Sequence, residues 1–310
     1  MAQPTKSRRP VATYSIVARD RSQALGVAVQ SHWFNVGAVV PWVEAGAGAV
    51  AVQSISDPTT GSRALGLLRS GEGAAAVLAR LLEGDADVAY RQIAVMDVHG
   101  RIATHTGALC IGEAGHETGE GFSAQANLMD RPTVWHAMAD AFARSEGDLA
   151  ARLLAALEAA EAEGGDVRGR QSAALVVVPA AGDDGPSFDL RVEDAPDPIG
   201  ELRRLVMLQR VYLELNRGDE MMSRGEFDRA LAAYEGASRM VPDSATDGEA
   251  AFWVGVAFAT TGRVEHAASF LARAAAFGDR WARLLPRLVR SKMLPENEAL
   301  LRRLLEAMEP

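Results

Sequence analysis

Residues 91–98 and 101–108 are two β-branched and apolar runs separated only by the turn around Asp97-Val98-His99-Gly100. Two strands joined by so few residues form a hairpin, because a parallel pair needs a crossover of a dozen or more. A purely parallel sheet is thereby excluded. Further strands are expected over 13–20, 24–31, 36–43, 49–54, 122–128, 172–179 and 187–192. Between them lie two alanine- and leucine-rich blocks. Block 60–83 carries Leu65, Leu68, Leu78 and Leu81 and is broken by Gly71 and Gly73, which predicts two short helices. Block 133–163 carries Ala137, Ala141, Leu149, Leu153 and Leu157 at helical spacing, with a break near Gly147. Strands, helices, strands, helices, strands is the order of an α+β domain. Two antiparallel sheets face to face, each covered outside by a helical pair, satisfy it.

After Pro196 and Pro198 no strand pattern remains, so we read residues 13–195 as one domain and 199–310 as a second, all-α one. Gly225-Glu226-Phe227-Asp228-Arg229-Ala230 is echoed by Gly262-Arg263-Val264-Glu265-His266-Ala267 at an offset of 37 residues, and Ala237 and Ala274 keep it. A small-residue turn followed by a helix with alanine at the close-contact position resembles a tetratricopeptide repeat over about 212–277. Two copies are few for a free-standing array. The tail is therefore expected to pack on the first domain or on a second subunit, making a homo-oligomer and a protein partner the expectations.

The charge is uneven. Residues 1–12 hold Lys6, Arg8 and Arg9, whereas 13–198 hold 13 arginines against 25 carboxylates, a balance of −12 within a total of −9. A nucleic-acid footprint needs a basic face, so nucleic acid is disfavoured as a partner. Residues 1–12 read as a basic, disordered extension without the apolar core of a secretory signal. No apolar run is long enough for a membrane span, and a cytoplasmic location is expected. The single Cys110 cannot form an internal disulfide.

The candidate motifs differ in specificity. Gly46-Ala47-Gly48-Ala49-Val50 has dinucleotide-loop spacing, but a strand follows it where a phosphate site needs a helix, so it reads as a turn between strands. The histidines His32, His99, His105, His116, His136 and His266 lack metal-ligand spacing, and neither metal nor cofactor is implied. Cys110, between Leu109 and Ile111, reads as a small buried residue more readily than as a nucleophile. Gly164-Gly165-Asp166-Val167-Arg168-Gly169-Arg170-Gln171-Ser172 is a glycine-turned loop that delivers two guanidinium groups to the start of a strand. Arg168, Arg170, Gln171 and Ser172 are thus candidates for a rim that binds substrate, an arginine clamping a carboxylate.

Thr13-Tyr14-Ser15-Ile16-Val17-Ala18-Arg19-Asp20 and Leu25-Gly26-Val27-Ala28-Val29-Gln30-Ser31-His32 carry a family resemblance. They are joined in it by Val39-Val40-Pro41-Trp42, Thr106-Gly107, Gly115-His116 and Arg170-Gln171-Ser172-Ala173-Ala174. Over about residues 13–178 the chain resembles the bacterial family called domain of unknown function 1028. Its members are similar to N-terminal nucleophile (Ntn) hydrolases, which implies the four-layer α-β-β-α sandwich that the element order suggests independently. The resemblance implies an amidohydrolase acting on a small amide or peptide-like substrate. Thr13 is then the catalytic nucleophile, Ser15 a supporting hydroxyl on the same strand face, and the free α-amine of Thr13 the base. An α-amine titrates near 8, about two units below lysine, and suits that role. Twelve residues precede Thr13, so the mechanism requires cleavage after Ala12. The segment 13–198 contains no lysine, and His32, at the end of the second strand, is the candidate to take its place as cation or base. The alternative reading is a non-catalytic Ntn-like scaffold that binds a small ligand while the repeat tail recruits a protein.

Overall fold

In chain order the strands are β1 (Thr13–Arg19), β2 (Leu25–Ser31), β3 (Pro41–Glu44), β4 (Gly48–Ser54), β5 (Arg91–Asp97), β6 (Ile102–Thr106), β7 (Gly115–Gly119), β8 (Phe122–Asn127), β9 (Ser172–Val178) and β10 (Phe188–Val192). The helices are α1 (Thr60–Arg69), α2 (Ala74–Leu82), α3 (Val134–Arg144), α4 (Leu149–Ala162), α5 (Pro198–Ser223), α6 (Phe227–Met240), α7 (Glu249–Thr260), α8 (Val264–Ala275), α9 (Arg280–Arg290) and α10 (Glu298–Glu306). This is a computed structural model, which describes residues 13–55, 57, 59–183, 185 and 187–309. The basic extension 1–12 lies outside the described residues. The described residues divide into two compact units between Leu205 and Val206, a point inside α5. Pro198 opens that helix at its first turn, where a missing N–H costs nothing.

In the first unit the strands form a six-stranded sheet, β10-β9-β2-β1-β8-β7, and a four-stranded sheet, β3-β4-β5-β6, with every neighbouring pair antiparallel. The period-2 pleat sorts each strand into two faces. Val17, Val27 and Val29 of the larger sheet meet Ala49, Ala51, Ala94 and Met96 of the smaller one in a shared apolar cluster. The alternate residues Val50, Val52, Ile93 and Val95 turn outward to Leu65, Leu68, Val77 and Leu81 of α1 and α2. On the far side α3 and α4 cover the larger sheet: Phe142 packs on Phe122 with ring centroids 5.0 Å apart, and a Cβ at Gly26 would lie 2.7 Å from Leu153. That glycine is what lets α4 approach β2. The result is the expected α-β-β-α sandwich. Both predicted helix breaks are present, and at the second Asp148 caps α4 by accepting from the Ala151 N–H at 2.8 Å.

Two details depart from the sequence reading. The expected strand over 36–43 is a strand only from Pro41. Val36–Ala38 is a 3₁₀ turn entered through Asn35 in the left-handed region (φ 53°). The turn drops Val36 and Val40 into the core and brings Gly37 so close to Ala174 that a Cβ would sit 2.7 Å from it. In addition β7 forms at Gly115–Gly119, where the glycine-bounded, polar sequence gives no strand signal. It is the outermost strand of its sheet, paired only with β8, where such sequences are tolerated.

In the second unit the 37-residue echo becomes one geometry used twice: a helix, a left-handed glycine (Gly225, φ 76°; Gly262, φ 77°) and a second helix. Ala237 and Ala274 are both fully buried. Phe252 stacks on Trp281 at 5.0 Å in the core of the unit. Among the described residues no helix is long and apolar enough to cross a membrane.

Candidate functional site

The layer between the sheets is apolar at one end and polar at the other. Along β1 the inward positions run Val17, Ser15, Thr13, and along β8 Ser123, Gln125, Asn127 stand opposite them in register. From the facing sheet come Gln53 of β4 and Gln92 of β5, one pleat repeat beyond Ala51 and Ala94. Thr13, Ser15, Gln53, Gln92, Ser123, Gln125 and Asn127 are all fully buried. Burying so many polar groups is tolerable only if they bond one another, and they do.

Gln92 is the hub. Its Nε2 donates to Thr106 Oγ1 (3.0 Å) and to the carbonyls of Gly115 (3.1 Å) and Ala126 (2.9 Å). Its Oε1 accepts from Gln53 Nε2 (2.7 Å) and Asn127 Nδ2 (2.9 Å). Two of the groups facing Nε2 are backbone carbonyls, which only accept, and this fixes which way the amide points. Gln53 Nε2 also donates to the Thr13 carbonyl at 3.2 Å, and Asn127 Nδ2 reaches the same oxygen at 3.5 Å. Ser15 Oγ donates to Gln53 Oε1 and accepts from Gln125 Nε2, both at 2.6 Å. Among the described residues Asn127 Oδ1 is buried without a hydrogen-bond partner. Thr13 therefore opens a strand in the interior of its sheet, with hydroxyl and carboxamide side chains around it.

The other sequence-predicted residues lie elsewhere. His32 is exposed just past the end of β2; its N–H donates to Asp166 Oδ2 at 3.1 Å, and its ring stands beside the Gly169 turn. Arg168 pairs with the buried Asp166 at 2.8 Å, while Arg170 lies between Glu161 (3.6 Å) and Asp197 (3.5 Å). Gln171 donates to Asp194 Oδ1 at 3.0 Å. Ser172 is fully buried, donating to the Trp33 carbonyl and accepting from the Val36 N–H, so it fastens the 3₁₀ turn and is not part of a rim. The loop is thus brought to the same end of the sandwich as Thr13, with its polar groups engaged by the protein itself. Tyr14, on the outer face of β1, donates to Glu161 Oε2 at 2.7 Å. Burial, and then the adjoining carboxylate, push its phenol well above the ordinary range.

The sequence reading missed the three carboxamides Gln53, Gln92 and Asn127, together with Gln125. Their signal was present: Gln53 continues the inward repeat of Ala49 and Ala51, Gln92 that of Ala94 and Met96, and Gln125 and Asn127 that of Ser123. At the sandwich edge Thr106 Oγ1 lies 2.8 Å from His116 Nδ1, beside a cavity of about 540 Å³ that includes Gly115, Cys110 and Trp135. Cys110 Sγ donates to the Arg91 carbonyl at 3.4 Å, and burial pushes its thiol up, away from the nucleophilic thiolate.

Residues 13–202 match the family described as Family of unknown function (DUF1028). The chain belongs to that family. The crystal structure of protein SPO2555 from Silicibacter pomeroyi, of the same DUF1028 family, is similar to it: 33% identical, with a TM-score of 0.58, over 63% of this chain and 88% of that one. No curated protein matches the chain. The match covers all the carboxamide-layer residues of this DUF1028 chain and stops short of α6 to α10.

Proposed function

We propose that the first unit is an N-terminal-nucleophile amidohydrolase, latent until the chain is cut after Ala12. One observation carries this reading: Thr13 opens β1 at the polar end of an otherwise apolar inter-sheet layer, its carbonyl held by the Gln53 and Asn127 side chains. A hydrogen-bonded polar network contributes little net stability over an apolar layer of the same shape, so packing alone gives no reason for it.

In the cut protein the freed α-amine of Thr13 accepts the proton of Oγ1 as that oxygen attacks the substrate amide carbon. The C–N bond then breaks, the proton passes to the leaving amine, and water hydrolyses the acyl-Thr13 ester. Ser15 steadies Gln53, and Gln53 and Asn127 hold the nucleophile's backbone. Small amides or peptide-like molecules are the substrate class. Thr13→Ala is expected to abolish turnover in an amide panel while Thr13→Ser retains it; equal turnover by the alanine variant would remove the proposal.

One observation favours a second reading, a binding scaffold whose helical tail recruits a protein: Thr13 is fully buried in the 310-residue chain, where its nitrogen is an amide and no base. A scaffold keeps its ligand in the Thr13→Ala variant and shows no turnover in either state.

A further inference from the structure

Thr106 closes β6 and His116 is the second residue of β7, so the pair spans the open edge where the two sheets meet. Gln92 Nε2, whose orientation is fixed by the Gly115 and Ala126 carbonyls, donates to Thr106 Oγ1. With the imidazole as its Nε2–H tautomer, the single proton of that hydroxyl is donated to His116 Nδ1, 2.8 Å away. The oxygen is thus polarised from both sides. It also lines a cavity, whereas Thr13 is sealed.

Desolvation, and then His105, hold the imidazole of the exposed His116 below its ordinary range, which favours the neutral form a base requires. Among the described residues no carboxylate, lysine or arginine lines the cavity; Gly107, Gly112 and Gly115 leave room in it, and Trp135 forms one wall. A Cβ at Gly115 would lie 2.6 Å from the Trp135 ring, so the wall is set by that glycine. The chemistry that fits is a small, uncharged acyl group. No carboxylate bonds the far side of the imidazole among the described contacts, and a base without an orienting third group suits a good leaving group such as an alkoxide or phenolate better than an amine.

We infer that Thr106 and His116 form a second acyl-transfer centre, independent of N-terminal processing, for small uncharged esters. Thr106 Oγ1 attacks the ester carbon as its proton passes to His116 Nδ1. The C–O bond to the leaving group breaks, and that oxygen takes the proton from His116. A water molecule, deprotonated by His116, then attacks the acyl-Thr106 ester; the bond to Thr106 Oγ1 breaks, that oxygen takes the proton back from His116, and the carboxylic acid is released.

The test is hydrolysis of 4-nitrophenyl acetate by the full chain, with the acetyl adduct trapped by acid quench and placed by peptide mass mapping. The adduct is expected on Thr106. Thr106→Val and His116→Gln should each lower kcat/KM by about a hundredfold, while Thr106→Ser restores turnover to within a few-fold. His116 is exposed, so its variant keeps the fold even if the valine variant does not. An adduct on Cys110 or Thr13, or unchanged turnover in His116→Gln, overturns the inference. Because the ester assay does not depend on the state of the Thr13 nitrogen, its failure and the failure of the amidohydrolase reading are distinguishable.

Discussion

Asn127 stands directly opposite Thr13 across the β1–β8 ladder, its Nδ2 shared between Gln92 Oε1 at 2.9 Å and the Thr13 carbonyl at 3.5 Å. Replacing it by aspartate turns that donor into an acceptor facing Gln92 Oε1, in a layer where the buried side chains are, among the described residues, hydroxyls, carboxamides and apolar groups. Asn127→Asp is expected to lose about 1–3 kcal/mol at neutral pH, read by urea unfolding. Burial raises the pKa of the new carboxyl in the folded state. The deficit relative to wild type therefore shrinks as pH falls and the group protonates; a deficit that grows on acidification would contradict the network.

Gln53 bonds Ser15, the Thr13 carbonyl and Gln92 at once. Gln53→Leu keeps the volume and leaves those groups without their partner, so a loss of about 2 kcal/mol is expected, with the loss of any Thr13-dependent turnover alongside. Leucine at full stability would mean that the carboxamides are not coupled.

Asp97 ends β5 with a buried carboxylate. Burial pushes its pKa up, but the N–H groups of Ala74, His99 and Arg101 and the Arg101 guanidinium outweigh that and bring it below the ordinary carboxylate range. A folded-state pKa below the unfolded one means stability that is present above the unfolded pKa and is lost as pH falls through the folded one. Asp97→Asn should be less stable than wild type at pH 7, with the gap closing below about pH 4. Thermal midpoints of both proteins across pH 3 to 7 measure it.

Most of the sandwich was legible because its strands repeat alternating or fully apolar runs and its helices break at Gly71–Gly73 and Gly147. The edge strand β7 was not. Gly115-His116-Glu117-Thr118-Gly119 forms a strand because β8 offers it a ladder, a tertiary reason that local pattern does not carry. The site was half legible. Thr13 and Ser15 stand at the polar end of the layer, but the inward glutamines and Asn127 acquire meaning only when the two sheets are laid face to face. The arginines of the 164–172 loop read as a rim; in the structure Arg168 pairs with Asp166 of the same loop, and Arg170 lies between the nearby Glu161 and Asp197, about thirty residues further along the chain.

Gly115→Ala places a methyl group 2.6 Å from the Trp135 ring. Trp135 must move, at a cost of about 1–3 kcal/mol, and the cavity edge moves with it. A shift in intrinsic tryptophan fluorescence together with a raised KM for the ester probe is expected. An unshifted spectrum with unchanged KM would place the cavity wall elsewhere.

Which form of the chain acylates on Thr13 separates a latent hydrolase from a scaffold. Protein incubated with an amide-derived electrophile is separated by intact mass, and the labelled fraction is sequenced from its N-terminus. Labelled chains are expected to begin at Thr13 and to carry the label there. Label on Thr13 in chains still joined to Ala12, or amide turnover confined to those uncut chains, would contradict that expectation.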